Sequence, residues 1–302
     1  MQAIQGVNVV AVGPRRAGGH EIDLGATLEL IDFHNSSGVK GIALLGTTGE
    51  FLHFDFEERR RLIPLAVKRS RIPVIAGVAH STLEGAVLLG RDAAAAGAAA
   101  LLVMPPYFFR YQQEEVKEFY LEFARQVSTS TPIYLYNIPF FTNEIACQTA
   151  LELLSTGLFA GIKDSCGQWD YFTELKQQRA KKPFTLLIGN DVIFTRARSA
   201  GADGVISGVA CAVPELMLGL DRAIVAGNAP KVDQLEARLQ EFIVWLNEFP
   251  TPVGVKEATS ARGLKIGPPA TPLGPAKRRK LAEFHEWLKT WLPTVQQEAA
   301  DA

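Results

Sequence analysis

The sequence has few cysteines and no long hydrophobic run. Its 302 residues include three cysteines, Cys147, Cys166 and Cys211, an odd and widely spaced set that argues against a disulfide framework and against a metal cluster. No stretch reaches the roughly 18 consecutive apolar residues of a membrane span. Residues 1–12 also lack the basic and apolar regions of a secretory signal. We therefore expect a cytoplasmic protein with reduced thiols and no membrane partner.

An excess of charge of one sign is absent too. The chain carries 31 lysines and arginines against 32 aspartates and glutamates, which gives a formal net charge of −1. No basic stripe is present, so nucleic acid is not an expected partner. A small anionic molecule stays a candidate ligand, because a site can be positive locally inside a neutral protein.

Short apolar runs recur along the chain, with helix-like segments between them. Continuous apolar runs, unlike alternating ones, are typical of strands that are buried on both faces of a parallel sheet. The predicted strands are residues 7–12, 41–45, 73–78, 101–104, 133–136, 160–163, 185–188 and 204–206. About eight strand–helix repeats predict an α/β fold of the (β/α)₈ TIM-barrel type. An open doubly wound sheet is the alternative, and the lack of a Gly-x-Gly-x-x-Gly turn after the first strand disfavours it.

The pattern changes after the eighth predicted strand, where the remaining segments look helical. Helices are predicted over residues 214–225, 232–248, 251–261 and 276–292, with a proline- and glycine-rich break at 267–275. The sequence therefore predicts a barrel over residues 1–225 and a C-terminal helical segment over 226–302 that packs on it. Residues from Gln296 onward are expected to be frayed, as chain ends usually are.

Three predicted strand ends carry groups that suit the chemistry of a carbonyl compound. In a (β/α)₈ barrel the catalytic groups lie at the C-terminal ends of the strands. Lys163 ends strand six, where partial desolvation favours the neutral, nucleophilic amine. Tyr136 ends strand five, where a phenol can transfer protons. Thr47 and Thr48 lie between two glycines after strand two, in a turn whose amides and hydroxyls can bind a carboxylate.

Each of these groups also has an ordinary structural interpretation. Lys163 could extend its amine from the strand end to solvent. Tyr136 could be a core tyrosine whose hydroxyl is hydrogen-bonded. The two threonines could belong to a simple loop. The residues taken one at a time leave these alternatives open.

The three motifs together resemble the dihydrodipicolinate synthase / N-acetylneuraminate lyase family over nearly the whole chain. They are Gly-Thr-Thr-Gly-Glu at residues 46–50, Tyr-Asn-Ile-Pro at 136–139 and Gly-Ile-Lys-Asp at 161–164. The resemblance implies that Lys163 forms a Schiff base with a 2-oxo acid and that Tyr136 is the proton donor and acceptor. It also implies that Thr47 and Thr48 bind the carboxylate of the acid and relay protons to Tyr136.

The resemblance has further implications for the site and the assembly. It implies that the backbone of Ile206 contacts bound pyruvate, and that Tyr107 is the tyrosine a neighbouring subunit adds to the proton relay. Ser165 matches a threonine of sialic acid lyases. The loop at Gly189 resembles their polyol-binding loop, in which Asp191 accepts hydrogen bonds from sugar hydroxyls; a helix N-cap is an equally weighted role for Asp191. The family implies a homotetramer, a dimer of tight dimers, and neither metal nor cofactor.

The sequence departs from the family where the second half of a substrate binds. Dihydrodipicolinate synthases have an arginine at the position of Phe141, and that arginine binds the semialdehyde carboxylate. A phenylalanine cannot form this bidentate pair. Phe51, Phe108, Phe140 and Phe141 are candidates either for an apolar lining or for packing. A second lysine motif, Gly-Val-Lys-Glu at 254–257, lies in the helical tail, and we interpret Lys256 as structural.

The leading hypothesis is a lyase that acts on 2-oxo acids through a lysine Schiff base. It would be a pyruvate-type aldolase or dehydratase, with 2-oxo-3-deoxy sugar acids among its candidate substrates. The alternative is a dihydrodipicolinate synthase that condenses pyruvate with aspartate semialdehyde. A remote alternative is a non-catalytic barrel that binds a metabolite. The lysine motif does not distinguish aldol cleavage, aldol addition and dehydration.

Overall fold

Eight parallel strands form a closed barrel in which neighbours in sequence are neighbours in space. The computed structural model describes residues 4–302. Met1–Ala3 lie outside the described residues; they are the first residues of the predicted barrel, 1–225, and of the N-terminal segment 1–12. The strands are β1 Gly6–Val10, β2 Ile42–Leu44, β3 Val74–Gly77, β4 Ala100–Val103, β5 Ile133–Asn137, β6 Gly161–Asp164, β7 Thr185–Ile188 and β8 Gly204–Ser207. The predicted TIM barrel is confirmed, and each predicted strand is present with bounds that differ by at most two residues.

The barrel closes by pairing its first and last strands. Val7 of β1 lies opposite Val205 of β8 in a parallel register. All residues of β3 through β8 are buried, and so is β1 after its first residue. This burial on both faces explains why the strands have continuous apolar runs instead of alternation.

Helices follow the strands around the outside of the barrel. They are α1 Leu24–Ser37, α2 Phe56–Arg69, α3 Leu83–Ala95, α4 Gln113–Val127, α5 Cys147–Ser155, α6 Trp169–Arg179, α7 Phe194–Ser199, α8 Val209–Ala212 and α9 Pro214–Ala226. Local sequence sets their ends: α2 has a capping box between Asp55 and Glu58, acidic residues in its first turn and basic residues in its last turn.

Three more helices follow the barrel, α10 Ala229–Leu246, α11 Val253–Ser260 and α12 Pro275–Ala300. Helix α12 packs against α9 and α10, and α11 packs against α8. Within residues 4–302, every helix is too short or too polar to cross a membrane. The division of the chain at residue 225 stays a prediction.

The prediction that the chain frays from Gln296 onward is wrong, because α12 continues to Ala300. Val295 and Ala299 are buried in its last turns. Arg238 donates to both carboxylate oxygens of Glu298, each at 2.8 Å. The amphipathic pattern of this helix thus continues past the predicted end, and side-chain contacts hold its last turns against α10.

Candidate active site

A cavity of about 480 Å³ opens at the C-terminal ends of the strands and extends to the C-terminal helices. Its inner wall comes from the strand ends and the loops that follow them, and its outer wall comes partly from the corner between α10 and α11. The residues that line it are Val10, Thr47, Thr48, Tyr136, Ile138, Phe140, Phe141, Lys163, Ser165, Gly189, Asn190, Asp191, Val192, Gly208, Val209, Ile243, Leu246, Asn247, Phe249, Pro250, Thr251, Pro252, Gly254 and Val255.

Lys163 lies at the inner end of this cavity. It is the third residue of β6, lies opposite Tyr136 of β5, and is only 2% exposed. Its Nζ is 4.0 Å from the centroid of the Tyr136 ring. Lys163 forms no ion pair with a carboxylate within residues 4–302, so its amine faces the cavity without a fixed acidic partner.

Gly189 makes room for the Lys163 side chain. A Cβ at Gly189 would lie 2.5 Å from Lys163 Cε and 2.0 Å from Ser165 Oγ. Both separations are far below a normal van der Waals contact, so a residue with a side chain at position 189 would displace the lysine. Position 189 therefore requires glycine for a steric reason, because two side chains approach the backbone closely at this strand end.

A pair of hydroxyl groups lies next to the lysine. The Tyr136 hydroxyl lies 3.4 Å from Thr47 Oγ1, and either oxygen can donate. Thr48 lines the same cavity. The turn that carries both threonines is closed by a hydrogen bond from the Glu50 amide to the Thr47 carbonyl at 3.0 Å. The Tyr136 phenol and the Thr47 hydroxyl thus form a short path for protons beside the amine.

A buried hydrogen bond joins the strands that carry Tyr136 and Lys163, one residue further along each strand. Asn137 Nδ2 donates to Asp164 Oδ1 at 2.8 Å, and Asn137 Oδ1 accepts from the Ile145 amide. Burial raises the pKa of Asp164, while bonds from Cys166 and Asn137 lower it. The sequence motifs contain both residues, but they gave no sign of this contact, which fixes the relative position of β5 and β6.

Two buried oxygen atoms beside the lysine have no hydrogen-bond partner within residues 4–302. They are Ser165 Oγ and Asp191 Oδ1. The other carboxylate oxygen of Asp191 accepts from the Val209 amide at 3.2 Å. Burial raises the pKa of Asp191, while the Ser207 hydroxyl, the Val209 amide and the nearby Lys163 charge lower it. Buried polar atoms of this kind need a partner, and here the cavity is where a ligand could supply one.

The possible role of Asp191 as a helix N-cap is wrong. Asn190 is the cap residue, and its side-chain oxygen accepts from the Val192 amide at 3.1 Å. The carboxylate of Asp191 instead points to the amide of Val209 at the start of α8.

The outer wall was missed by the sequence interpretation. The lining includes eight residues of the corner, which follows the eighth strand by some forty residues of chain: Leu246, Asn247, Phe249, Pro250, Thr251, Pro252, Gly254 and Val255. The prolines around residue 250 signal a break between two helices. Nothing in the local pattern shows that this break packs over the mouth of the barrel.

Two of the predicted site residues do not line the cavity. Ile206 is buried in β8, opposite Asn8 of β1. Tyr107 is half-buried beside Arg59 and Ser81; burial raises the pKa of its phenol, and the Arg59 charge and hydrogen bonds from both residues lower it. Of the four phenylalanines considered, Phe140 and Phe141 line the cavity. The other two do not, since Phe51 packs on Tyr107 and Phe108 is 87% exposed.

Lys256 is buried in a different place, outside the cavity lining. Its Nζ donates to Glu50 Oε2 at 2.5 Å, to the Gly13 carbonyl at 3.1 Å and to the Pro268 carbonyl at 3.2 Å. Burial lowers the pKa of Lys256, and the Glu50 carboxylate acts in the opposite direction. All three ammonium hydrogens are occupied, which fits a structural lysine.

Comparison with known proteins gives one family over most of the chain. The profile of the Dihydrodipicolinate synthetase family matches residues 4–291. A 4-hydroxy-tetrahydrodipicolinate synthase of Azoarcus sp. strain BH72 is 35% identical over 291 residues, which cover 95% of this chain and 97% of that protein.

Two crystal structures are similar along nearly their whole length. Dihydrodipicolinate synthase from Aquifex aeolicus has a TM-score of 0.87 and 31% identity, covering 95% of this chain and 98% of that one. YagE, a prophage protein of the dihydrodipicolinic acid synthase family from E. coli K12 in complex with pyruvate, has a TM-score of 0.87 and 25% identity, covering 96% and 99%. The chain therefore belongs to the dihydrodipicolinate synthetase family and is an aldolase-type lyase.

Proposed function

We propose that the enzyme acts on pyruvate or a pyruvate-like 2-oxo acid through a Schiff base at Lys163. The observation that carries the proposal is the position of Lys163, 2% exposed in the cavity and with its Nζ 4.0 Å from the Tyr136 ring. A buried amine beside a phenol that can transfer protons is the arrangement that imine chemistry uses. The proposal excludes the non-catalytic barrel considered as a remote alternative.

The mechanism follows from the groups that surround the amine. Neutral Nζ of Lys163 attacks the C2 carbonyl, water leaves, and a protonated imine forms. The imine accepts the electron pair of a C3–H or C3–C4 bond, which gives an enamine. Tyr136 and Thr47 transfer the protons of these steps. The amides and hydroxyls of the turn at Thr48 bind the substrate carboxylate.

Other predicted residues have roles in the same proposal. The backbone of Ile206 would lie against bound pyruvate, although its side chain is buried in β8 and does not line the cavity. The loop at Gly189 would lie beside the hydroxyls of the substrate. Tyr107 serves the relay of a neighbouring subunit in a homotetramer built from tight dimers.

The unpartnered oxygens of Ser165 and Asp191 support a substrate with a hydroxyl close to the reacting carbon. Both are buried beside Lys163 and lack hydrogen-bond partners among the described residues. A hydroxyl at C4 of a 2-oxo acid would donate to the carboxylate of Asp191 and accept from Ser165. We therefore place 4-hydroxy-2-oxo acids, with 2-oxo-3-deoxy sugar acids as one group of them, ahead of other substrates.

A second candidate function is the condensation of pyruvate with aspartate semialdehyde. Relatives that are 31% to 35% identical along more than 90% of this chain carry the name 4-hydroxy-tetrahydrodipicolinate synthase, which favours it. Against it stands Phe141, which lines the cavity where an arginine would bind the semialdehyde carboxylate. Among described residues, Lys163 is the one cationic side chain of the cavity lining, and the imine would use it.

The test is a pair of assays on the purified protein. Release of pyruvate from 4-hydroxy-2-oxo acids is measured beside condensation of pyruvate with aspartate semialdehyde. We expect release to be the faster reaction and to be lost in a Lys163→Met variant. A Lys256→Met variant is the matched control, because it removes a buried lysine outside the cavity and should still react. Fast condensation by the parent protein would contradict our preference, and activity of Lys163→Met would contradict the mechanism.

A further inference from the structure

The cavity changes character with distance from Lys163. Its inner part carries the polar groups of the proposed chemistry, including Tyr136 and Asp191. Its outer part is bounded on one side by Phe140 and Phe141, which follow β5, and on the other by the corner between α10 and α11. A substrate held at the lysine must pass its distal end between these two sides.

Both sides of the outer part are mainly apolar. Phe140 is 70% exposed and Phe141 is 56% exposed, although each lines a cavity that also contains the buried lysine. Across the mouth, Leu246, Phe249 and Val255 line the same cavity. Exposed aromatic side chains that line a cavity can bury surface on an apolar ligand, which is their ordinary source of binding energy.

The outer part is a poor place for a second negative charge. Lys163 and Asp191 are the two charged side chains in the lining, within residues 4–302, and both lie in the inner part. A distal carboxylate would find no cation there except the imine nitrogen and would approach the Asp191 carboxylate. An ionised group without a partner in such a place is unfavourable.

The outer part is also a poor place for a long chain of hydroxyls. Its polar side chains are Asn190, Asn247 and Thr251. The side-chain oxygen of Asn190 already accepts from the Val192 amide. A polyol needs a partner for each hydroxyl that loses water, and the aromatic and aliphatic side chains cannot supply one.

We infer that the natural substrate is a 4-hydroxy-2-oxo acid whose C4 substituent is apolar, an aryl or branched alkyl group. This inference rests on the proposed function and names its substrate class. Ser165 and Asp191 bind the C4 hydroxyl, and the outer part of the cavity takes the apolar substituent. The cavity volume of about 480 Å³ lies within the range of roughly 300–1,000 Å³ that is usual for sites of small molecules.

The reaction balances without any further reagent. The amine condenses with the C2 ketone and releases water. As the imine forms, the phenol of Tyr136 gives its proton to the departing water and becomes a phenolate. The C4 hydroxyl then turns its proton from Asp191 to this phenolate and transfers it while the C3–C4 bond breaks, and the electron pair of that bond forms the enamine. The apolar aldehyde leaves and C3 takes the proton back from Tyr136. Water then hydrolyses the protonated imine to pyruvate and the free amine, and the proton that this step releases restores the phenol. The reverse sequence condenses pyruvate with the same aldehyde.

The experiment compares substrates that differ beyond C4. Release of pyruvate is measured for 4-hydroxy-2-oxo-4-phenylbutanoate and for a six-carbon 2-oxo-3-deoxy sugar acid, beside condensation of pyruvate with aspartate semialdehyde. We expect kcat/KM for the phenyl compound to be at least about 10-fold above that for the sugar acid, the effect of burying one ring. An equal or lower value for the phenyl compound, or condensation with the semialdehyde as the fastest reaction, overturns the inference.

Two variants locate the effect in the cavity. Phe141→Ser should lower kcat/KM for the phenyl compound about 10-fold, because it removes part of the apolar wall. Val244→Ser is the control: Val244 is 65% exposed on α10 and lies outside the cavity lining, so its kcat/KM should be unchanged. No effect of Phe141→Ser also overturns the inference.

A third readout separates this inference from the function on which it rests. Borohydride reduction with pyruvate alone reports the imine at Lys163 and does not involve the outer part of the cavity. Phe141→Ser should unfold cooperatively as the parent does, which shows that its lower kcat/KM is not a loss of fold. If the parent forms no adduct, the proposed function fails; if it forms the adduct and prefers the sugar acid or the semialdehyde, only the substrate class fails.

Discussion

Replacement of Lys256 by methionine should destabilise the protein without preventing imine formation. The Lys256 and Glu50 side chains are 1% and 5% exposed, and the lysine donates to the carboxylate at 2.5 Å. Methionine has a similar length and removes the charge. Among residues 4–302, the Glu50 carboxylate then keeps only the amide of Ala270, at 3.3 Å, as a hydrogen-bond donor.

Lys256→Met should lower the free energy of unfolding by about 3–5 kcal/mol, the usual effect of removing one partner of a buried ion pair. An unfolding entropy of about 2.1 cal/mol/K per residue over 302 residues converts this loss to a fall in the melting temperature of roughly 5 to 8 °C. The double variant Glu50→Gln with Lys256→Met removes both charges. It should recover on the order of 1–3 kcal/mol relative to Lys256→Met alone, because the buried carboxylate is gone.

The assay is thermal and denaturant unfolding of the parent, the two single variants and the double variant, with borohydride trapping of pyruvate on each. Two results would refute this prediction. One is a melting temperature of Lys256→Met equal to that of the parent. The other is a loss of stability in the double variant larger than the sum of the losses in the two single variants. Loss of the pyruvate adduct in folded Lys256→Met would show that this lysine, and not the one on β6, takes part in the chemistry.

Three further predictions concern stability and geometry. Burial lowers the pKa of His34 to about 4, so the unfolded chain binds a proton at higher pH than the folded protein; stability should fall by about 3 kcal/mol from pH 7 to pH 4. His34→Leu should reduce the difference between the free energies of unfolding at pH 7 and at pH 4. A variant with the same difference as the parent would contradict this prediction. Ala299→Leu should lower the free energy of unfolding by about 1–3 kcal/mol, because α12 approaches Gly219 closely at this residue. A frayed tail would tolerate this change, and the protein should tolerate Ala300→Leu, since Ala300 is exposed. Asn137→Leu should lower the free energy of unfolding by about 1–3 kcal/mol and slow the trapping of pyruvate. If stability and trapping rate both match those of the parent, the bond from Asn137 to Asp164 does not position the site.

The sequence predicts the barrel well for a physical reason. Strands buried on both faces must be continuously apolar, so the runs that mark them are visible without any alignment. Parallel strands also end at one rim, so Thr47, Thr48, Tyr136 and Lys163 could be expected to meet although more than a hundred residues separate the first from the last. The cavity lining contains all four.

The remaining features depend on contacts between distant parts of the chain. The corner at Phe249 looks like any proline-containing break, and its position over the cavity follows from the packing of α11 on α8. Asn190 and Asp191 are equally good N-cap residues in sequence, and the approach of the Val209 amide decides which one caps. The last turns of α12 are stabilised by Arg238, sixty residues away, which the local pattern cannot show.

The most direct test of the account is to identify the lysine that pyruvate modifies. The protein is incubated with pyruvate, reduced with borohydride, digested, and analysed by mass spectrometry of its peptides. We expect a single adduct on the peptide that contains Lys163 and none on the peptide that contains Lys256. An adduct elsewhere, or full turnover by a Lys163→Met variant, would contradict it.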